Sequence, residues 1–297
     1  MLAEYLQTKF QELHEHAKDS GLELIAVGGL VRDYLMRSQI GDDVDFEIKA
    51  LASSDEQDFL DQYERFKTLL IESYQIKELM FGVIQIKSND GIVLCEIAPA
   101  RGESFNEELG HDNFSVKFIP DAPFNESWKR RDFTINAIGI DSFGKLVDPF
   151  GGQTHLENKI LVPCDEETFF KDPVRFLRTI RFSMKFNFEI SETVLQKINQ
   201  FDLSTISLFH LMKEGFKSNH LFQFFDLISG YSEQVKLSDS LKQIIELKAF
   251  KDQQIENRDQ LEKFIAENSI EEQVDGLIQQ GLVSKKRIQK MKRSHGR

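Results

Sequence analysis

The first twenty residues, MLAEYLQTKFQELHEHAKDSG, alternate charged and apolar positions at helical spacing and predict one amphipathic helix. A short apolar strand follows at Leu24 to Val27. It is closed by Gly28-Gly29, and a helix opens near Leu30. Alternation from Val44 to Ile48 predicts a second strand, and the polar stretch from about Asp55 to Tyr74 a helix. Two further alternating runs, Leu79 to Ile86 and Ile92 to Ala98, flank Ser88-Asn89-Asp90-Gly91, whose Asn, Asp and Gly suit a hairpin turn.

From Arg101 to Phe124 periodicity is lost among Gly, Asn, His and Pro, which predicts a long loop, with His111-Asp112 an incidental pair inside it. A helix is expected from Trp128 to about Ile140, then the turn Asp141 to Gly144 before Leu146-Val147. Beyond Thr168 the pattern is helical with no convincing strand. The fold class is therefore α+β: a small mixed-sheet head over residues 1–160 and an all-helical portion over 161–297.

With 40% hydrophobic and 29% charged residues the composition is that of a globular protein. No apolar run approaches the roughly 20 residues of a membrane helix, and the amino terminus lacks a signal peptide's apolar core. Cys95 and Cys164 form neither a disulfide framework nor a metal cluster, so a reducing cytoplasm is expected. A net charge of −12 argues against a general nucleic-acid coat protein. Its distribution changes the picture, because Lys285, Lys286, Arg287, Lys290, Lys292 and Arg293 crowd a stretch without acids. That block is either a solvated tail or a grip on an RNA backbone.

Candidate chemistry starts with VGGLVRD (Val27 to Asp33) and Asp43-Val44-Asp45. Residues two apart on a strand share a face, so Asp43 and Asp45 stand side by side while Val44 and Phe46 face the core. Adjacent carboxylates repel unless a cation lies between them, and Mg2+ favours carboxylates together with substrate phosphates. Glu96, on the run Val93 to Ile97, would complete a two-metal phosphoryl-transfer site if its strand lies beside Asp45. Gly28 and Gly29 let backbone amides and a helix amino terminus meet a triphosphate, with Arg32 one turn in. Alone, the paired carboxylates are also compatible with a solvated strand face, and the glycine pair with a tight turn.

GGLVRD with DVDFEI resembles the head-domain signature of class II tRNA nucleotidyltransferases and bacterial poly(A) polymerases. APARGES (Ala98 to Ser104), KRRDFTINAIGID (Lys129 to Asp141), GKLVDPFGG (Gly144 to Gly152) and KDPVRFLRTIRF (Lys171 to Phe182) continue the match in the family's order over roughly residues 20–190. The resemblance implies that Asp43 and Asp45 ligate catalytic Mg2+ ions, with Glu96 as the further carboxylate. Gly28, Gly29 and Arg32 would hold the triphosphate with Asp33 bracing the turn, and Arg131, Asp132 and Asn136 would contact sugar and phosphates. On the expected helix, Asp132 and Asn136 share a face.

In the last block Asp172 suits an N-cap, Pro173 the first helical position, and Arg175 projects toward the same place. A carboxylate beside a guanidinium matches the amine and acceptor nitrogen that cytosine and adenine both present, and mismatches uracil and guanine. Arg178 and Arg181 would continue the stripe toward phosphate. The bland alternative is a cap and a row of surface salt bridges.

Lys171 departs from the family's Glu at that position, and the helical part is shorter than the family's neck, body and tail. Phe81-Gly82-Val83-Ile84 stands where poly(A) polymerases tend to be basic, which favours the CCA-adding side. The expected activity is addition of CCA from CTP and ATP to tRNA 3′ ends, ahead of partial CC or A addition and of poly(A) synthesis. A catalytically inactive RNA-binding relative and a nucleotidyltransferase acting on a small molecule are the readings from other classes.

Overall fold

The computed structural model describes residues 1–52, 55–105, 114–247, 250 and 253–295. The chain divides into two compact units, the first made of Met1–Ser104 and Phe114–Asp165, the second running from Glu166 onward. Among the described residues no helix is long and apolar enough to cross a membrane.

The first unit opens with α1 (Leu2–Lys9) and α2 (Gln11–Asp19), so the single expected helix is broken at Phe10, whose φ of −115° leaves the helical region. The break is tertiary in origin, since the Phe10 ring packs edge-on against Phe46 at 5.2 Å. The rest of the unit is built on a seven-stranded mixed sheet in the order β3-β4-β5-β2-β1-β8-β9. Its strands are β1 (Leu22–Val27), β2 (Asp45–Ala50), β3 (Gln75–Glu78), β4 (Ile84–Lys87), β5 (Val93–Pro99), β8 (Gly139–Ile140) and β9 (Leu146–Val147). β2 and β5 run parallel while the other neighbouring pairs run antiparallel. Between β1 and β2 lies α3 (Gly29–Arg37), and between β2 and β3 lies α4 (Glu56–Leu70). α4 is capped by Asp55, which accepts from Asp58 N at 2.9 Å, and it buries Phe59, Tyr63, Phe66 and Leu70 along one face.

Several expectations are corrected. Leu79–Ile86 is not one strand: a 3-10 turn at Met80–Gly82, with Phe81 and Gly82 at φ 60° and 71°, separates β4 from the unforeseen β3. The flanks of the expected 101–124 loop are β6 (Arg101–Phe105) and β7 (Phe114–Phe118), which pair with each other; His111-Asp112 lies outside the described residues. No helix runs from Trp128 to Ile140. α5 (Phe124–Ser127) ends just before that stretch, which holds a 3-10 turn at Thr134–Asn136 and β8. Trp128, Phe133, Ile135, Ala137 and Ile138 are all buried, so apolar contact on every side, not a helical stripe, sets the path. The hairpin turn is present as expected, with Ser88 N donating to Ile92 O at 2.8 Å. α6 (Gly152–Glu157), β10 (Ile160–Leu161) and a tail to Asp165 complete the unit.

The second unit is helical: α7 (Glu166–Phe169), α8 (Val174–Phe186), α9 (Glu192–Gln196), α10 (Leu208–Lys217), α11 (Leu221–Gly230), α12 (Asp239–Ile245), α13 (Arg258–Asn268), α14 (Asp275–Gln279) and α15 (Lys285–His295). One two-residue strand, β11 (Glu189–Ile190), departs from the all-helical expectation. Phe169, Phe170 and Phe176 surround Phe201 with ring centroids at 5.7, 5.0 and 5.6 Å, which anchors α7 and α8 in the core.

Candidate active site

The site assembles where β1 gives way to α3. Gly28 has φ 97°, a region that costs an L side chain about 1–2 kcal/mol, and its N–H donates to Ile138 O at 3.1 Å. α3 thus starts at Gly29 with its first amides free of side-chain caps, and such an end attracts anions. Arg32, buried one turn in, donates through Nε to Asp33 Oδ1 at 2.7 Å and through Nη1 to Asn136 Oδ1 at 2.5 Å. Asn136 Nδ2 donates to Asp132 Oδ1 at 2.9 Å, and Asp132 Oδ1 also accepts from Phe133 N at 2.8 Å. Arg32, Asp33, Asp132 and Asn136 therefore form one network. The Asp132–Asn136 contact arises across a 3-10 turn rather than along the expected helix.

Arg131 stands on the other side of Gly28: a Cβ added there would lie 3.4 Å from Arg131 Nη1, which itself donates to Asn136 O at 3.3 Å. Burial holds the Arg131 guanidinium below its ordinary range, and neighbouring Arg130 adds to that, while Glu47 and Asp45 oppose it.

β2 begins at Asp45, so Asp43 lies in the segment entering the strand. Val44 and Phe46 are buried, with Asp43 and Asp45 exposed between them. Glu96 is the register partner of Asp45 on the parallel strand β5. Although Asp45 keeps an exposed edge, enclosure by protein is the main cause that lifts its carboxyl to about 6; Arg131 pulls it down, and Asp43 and Glu96 push it further up. Mutually repelling carboxylates of this kind fit a divalent cation. The third carboxylate, Glu96, accepts at Oε1 from Gln85 Nε2 at 2.9 Å. Among the described residues no three His, Cys, Asp or Glu side chains are gathered closely enough to hold a metal ion.

In the second unit Asp172 Oδ1 accepts from Val174 N at 2.9 Å at the head of α8, and Oδ2 lies 3.9 Å from Arg175 Nε. Arg178 stacks on Phe182, its guanidinium carbon 5.2 Å from the ring centroid. Arg181 is corrected. It does not extend an exposed stripe but is buried, with Nε 2.6 Å from Glu214 Oε2 on α10. The cationic tail is the helix α15, not a loose segment. Arg287 pairs with Asp259 at 2.9 Å and Glu262 at 3.2 Å, Lys292 with Glu271 at 2.5 Å, and Ile288 is buried. Lys285, Lys286, Lys290 and Arg293 are exposed, with Lys286, Lys290 and Arg293 along the face opposite Ile288.

Sequence reasoning missed Glu47, fully buried two residues beyond Asp45 and bonded to Ser127, Trp128 and Arg130. The period of two that placed Asp43 and Asp45 together would have found it.

The Gly28 turn, the Arg32–Asn136–Asp132 network and Asp45 on the strand beside β1 make up a candidate site for a phosphorylated ligand. Residues 24–162 match the family model described as the poly A polymerase head domain. The CCA-adding enzyme of Geobacillus sp. (strain WCH70) is 35% identical over 190 residues, covering 63% of this chain and 42% of that protein. The multifunctional CCA protein of Neisseria meningitidis serogroup C (strain 053442) is 32% identical over 179 residues, 60% and 38% of the two chains. Among solved structures, the Bacillus stearothermophilus CCA-adding enzyme in complex with CTP aligns with a TM-score of 0.58 at 26% identity, over 79% of this chain and 56% of that one. A tRNA nucleotidyltransferase complexed with a primer tRNA and an incoming ATP analog aligns at 0.51 and 25% identity, over 90% and 69%. Through its head the chain is similar to the class II tRNA nucleotidyltransferases and bacterial poly(A) polymerases. The matched part amounts to about two fifths of the curated relatives' length.

Proposed function

We propose that this chain transfers nucleotides from CTP and ATP to the 3′ end of tRNA, completing CCA. The observation that carries the reading is the Arg32–Asn136–Asp132 network at the open amino end of α3, with Arg131 on the other side of Gly28 and Asp43 and Asp45 entering β2. Solved relatives described with CTP, or with a primer tRNA and an ATP analog, support it.

The amides that open α3 would receive the triphosphate, and Arg32, fixed by Asp33 and Asn136, would face its oxygens. Asp132 holds Asn136, so the group that orients Arg32 is itself oriented. Asp43 and Asp45 would hold Mg2+, which when bound neutralises developing charge on the phosphates and favours the alkoxide form of the attacking hydroxyl. The RNA 3′-hydroxyl releases its proton to solvent, its oxygen forms a bond to the α-phosphorus as the bond to the bridging oxygen breaks, and pyrophosphate leaves. Catalysis is then positioning and charge stabilisation, with the carboxylates not required as proton carriers. Asp172 and Arg175 would present acceptor and donor to the cytosine or adenine edge. The exposed Lys286, Lys290 and Arg293 of α15 would meet RNA phosphates.

The test supplies purified protein and Mg2+ with tRNAs ending before CCA, after C and after CC, and with an unrelated RNA, using single nucleotides and then all four. Completion of CCA on tRNA followed by arrest is the expected result. Addition of only CC or only A would make the chain a partner of another enzyme, and long A tails on any RNA would make it a polymerase. Incorporation of UTP or GTP as readily as CTP and ATP would remove Asp172 and Arg175 from base selection, and no transfer at all would leave an RNA-binding relative.

A further inference from the structure

A carboxylate stripped of water needs donors for its lone pairs, since burial costs several kcal/mol per ion. Glu47 has no exposed surface and lies on β2 two residues beyond Asp45, on the same face of the strand. Its Oε1 accepts from Ser127 Oγ and from Trp128 Nε1, each at 2.9 Å, and Oε2 lies 3.5 Å from Arg130 Nη2. All three donors come from the short stretch immediately before Arg131. That stretch has little regular structure of its own: α5 ends at Ser127, and a turn follows in which Arg131 N donates to Trp128 O at 2.9 Å.

The tether reaches the site through Arg131. Its guanidinium carbon is 5.8 Å from the Trp128 ring centroid, and its Nη1 flanks Gly28. Arg131 Nε makes no hydrogen bond, so this side chain is not fully committed to the fold. Arg130 and Arg131 are adjacent cations, and Glu47 supplies the charge that lets them stay together. We propose that Glu47 is a positioning residue for nucleotide binding: by holding Ser127, Trp128 and Arg130 it sets where the Arg131 guanidinium meets the triphosphate. The inference rests on the nucleotide-transfer reading above.

Trp128 is the single tryptophan of the chain, so its emission reports both the tether and the arrival of ligand beside Arg131. The experiment titrates CTP and ATP, with Mg2+, into wild type, Glu47→Gln, Arg131→Gln and the double variant, and measures KM and kcat for transfer to tRNA in parallel. Glutamine still accepts from Ser127 and Trp128 but loses the ion pair with Arg130. The expected result is about a tenfold weaker nucleotide affinity and a raised KM with kcat nearly unchanged, and no further loss when Glu47→Gln is added to Arg131→Gln. Equal affinity in Glu47→Gln, or losses that simply add in the double variant, overturns the positioning role. If Glu47→Gln unfolds below the assay temperature, Arg130→Gln probes the tether from its less buried side; the same KM rise is expected, and an unchanged KM overturns the proposal. A wild-type chain that binds neither nucleotide overturns the functional reading and this inference together, whereas a binding wild type with an indifferent variant overturns this inference alone.

Discussion

The head and the helical unit both bury arginines, and they use them in opposite ways. In the head, Arg32 and Arg131 lie beside the Gly28 turn, held by an asparagine side chain, a backbone carbonyl and the half-buried Asp33, so their guanidinium groups stay at the open end of α3. In the helical unit, buried Arg181 is matched by buried Glu214, and the exposed Arg287 is likewise matched by Glu262 and Asp259 on α13. These pairs tie α8 to α10 and α15 to α13. A cation-rich segment marks a binding surface only after its internal partners are subtracted.

The strongest way to break the comparison is at the carboxylates. Asp43→Ala with Asp45→Ala should lower nucleotide transfer by about 10³-fold or more, because metal-borne charge stabilisation is worth several kcal/mol. Both residues are exposed, so the melting temperature should stay within a few degrees. Undiminished transfer would remove them from the mechanism.

Next comes the buried pair. Arg181→Met leaves Glu214 uncompensated and should cost about 3–5 kcal/mol in urea unfolding, most of it recovered by adding Glu214→Leu. Were Arg181 a phosphate ligand instead, the single variant would keep its stability and lose nucleotide affinity.

A smaller effect is expected at α15. Replacing Lys286, Lys290 and Arg293 with Glu should weaken RNA binding at low salt by about tenfold or more and flatten its salt dependence, since fewer counterions are released. Arg287→Ala should lower stability and leave that slope unchanged, because its charge is already paired.

The smallest effect lies in the head's periphery. Hydrogen bonds from Ser73 and Tyr74 hold the Glu12 carboxyl below its ordinary 4.5, with the positive charge of His16 a lesser cause. A depressed carboxyl contributes stability that is complete above 4.5 and lost as pH falls through the folded value. Glu12→Gln should therefore flatten the melting temperature against pH below about 4.5 and leave it unaltered near neutrality.

Legibility followed the same division. The alternation of Asp43, Val44, Asp45 and Phe46 was readable because a strand one face deep in the core must repeat every two residues. Gly28 was readable because a strand that turns directly into a helix needs a backbone region open to glycine. The stretch from Trp128 to Ile140 was not, since side chains buried on every side carry no stripe for periodicity to detect. Arg181 was expected to continue a stripe toward phosphate, and its pairing with Glu214 could not be read because that partner lies 33 positions away.

By itself, then, the sequence determined the mixed-sheet head, the glycine turn into α3, the strand carrying Asp45, and the order of the motif blocks that resemble a known family. Those features rest on local periodicity and backbone preference, which a chain carries wherever it is read. The tertiary structure alone decided that Asp132 reaches Asn136 across a turn, that Glu47 holds the segment before Arg131, and which cations are paired. These depend on distances between residues far apart in the chain, and only packing brings such residues within hydrogen-bond reach.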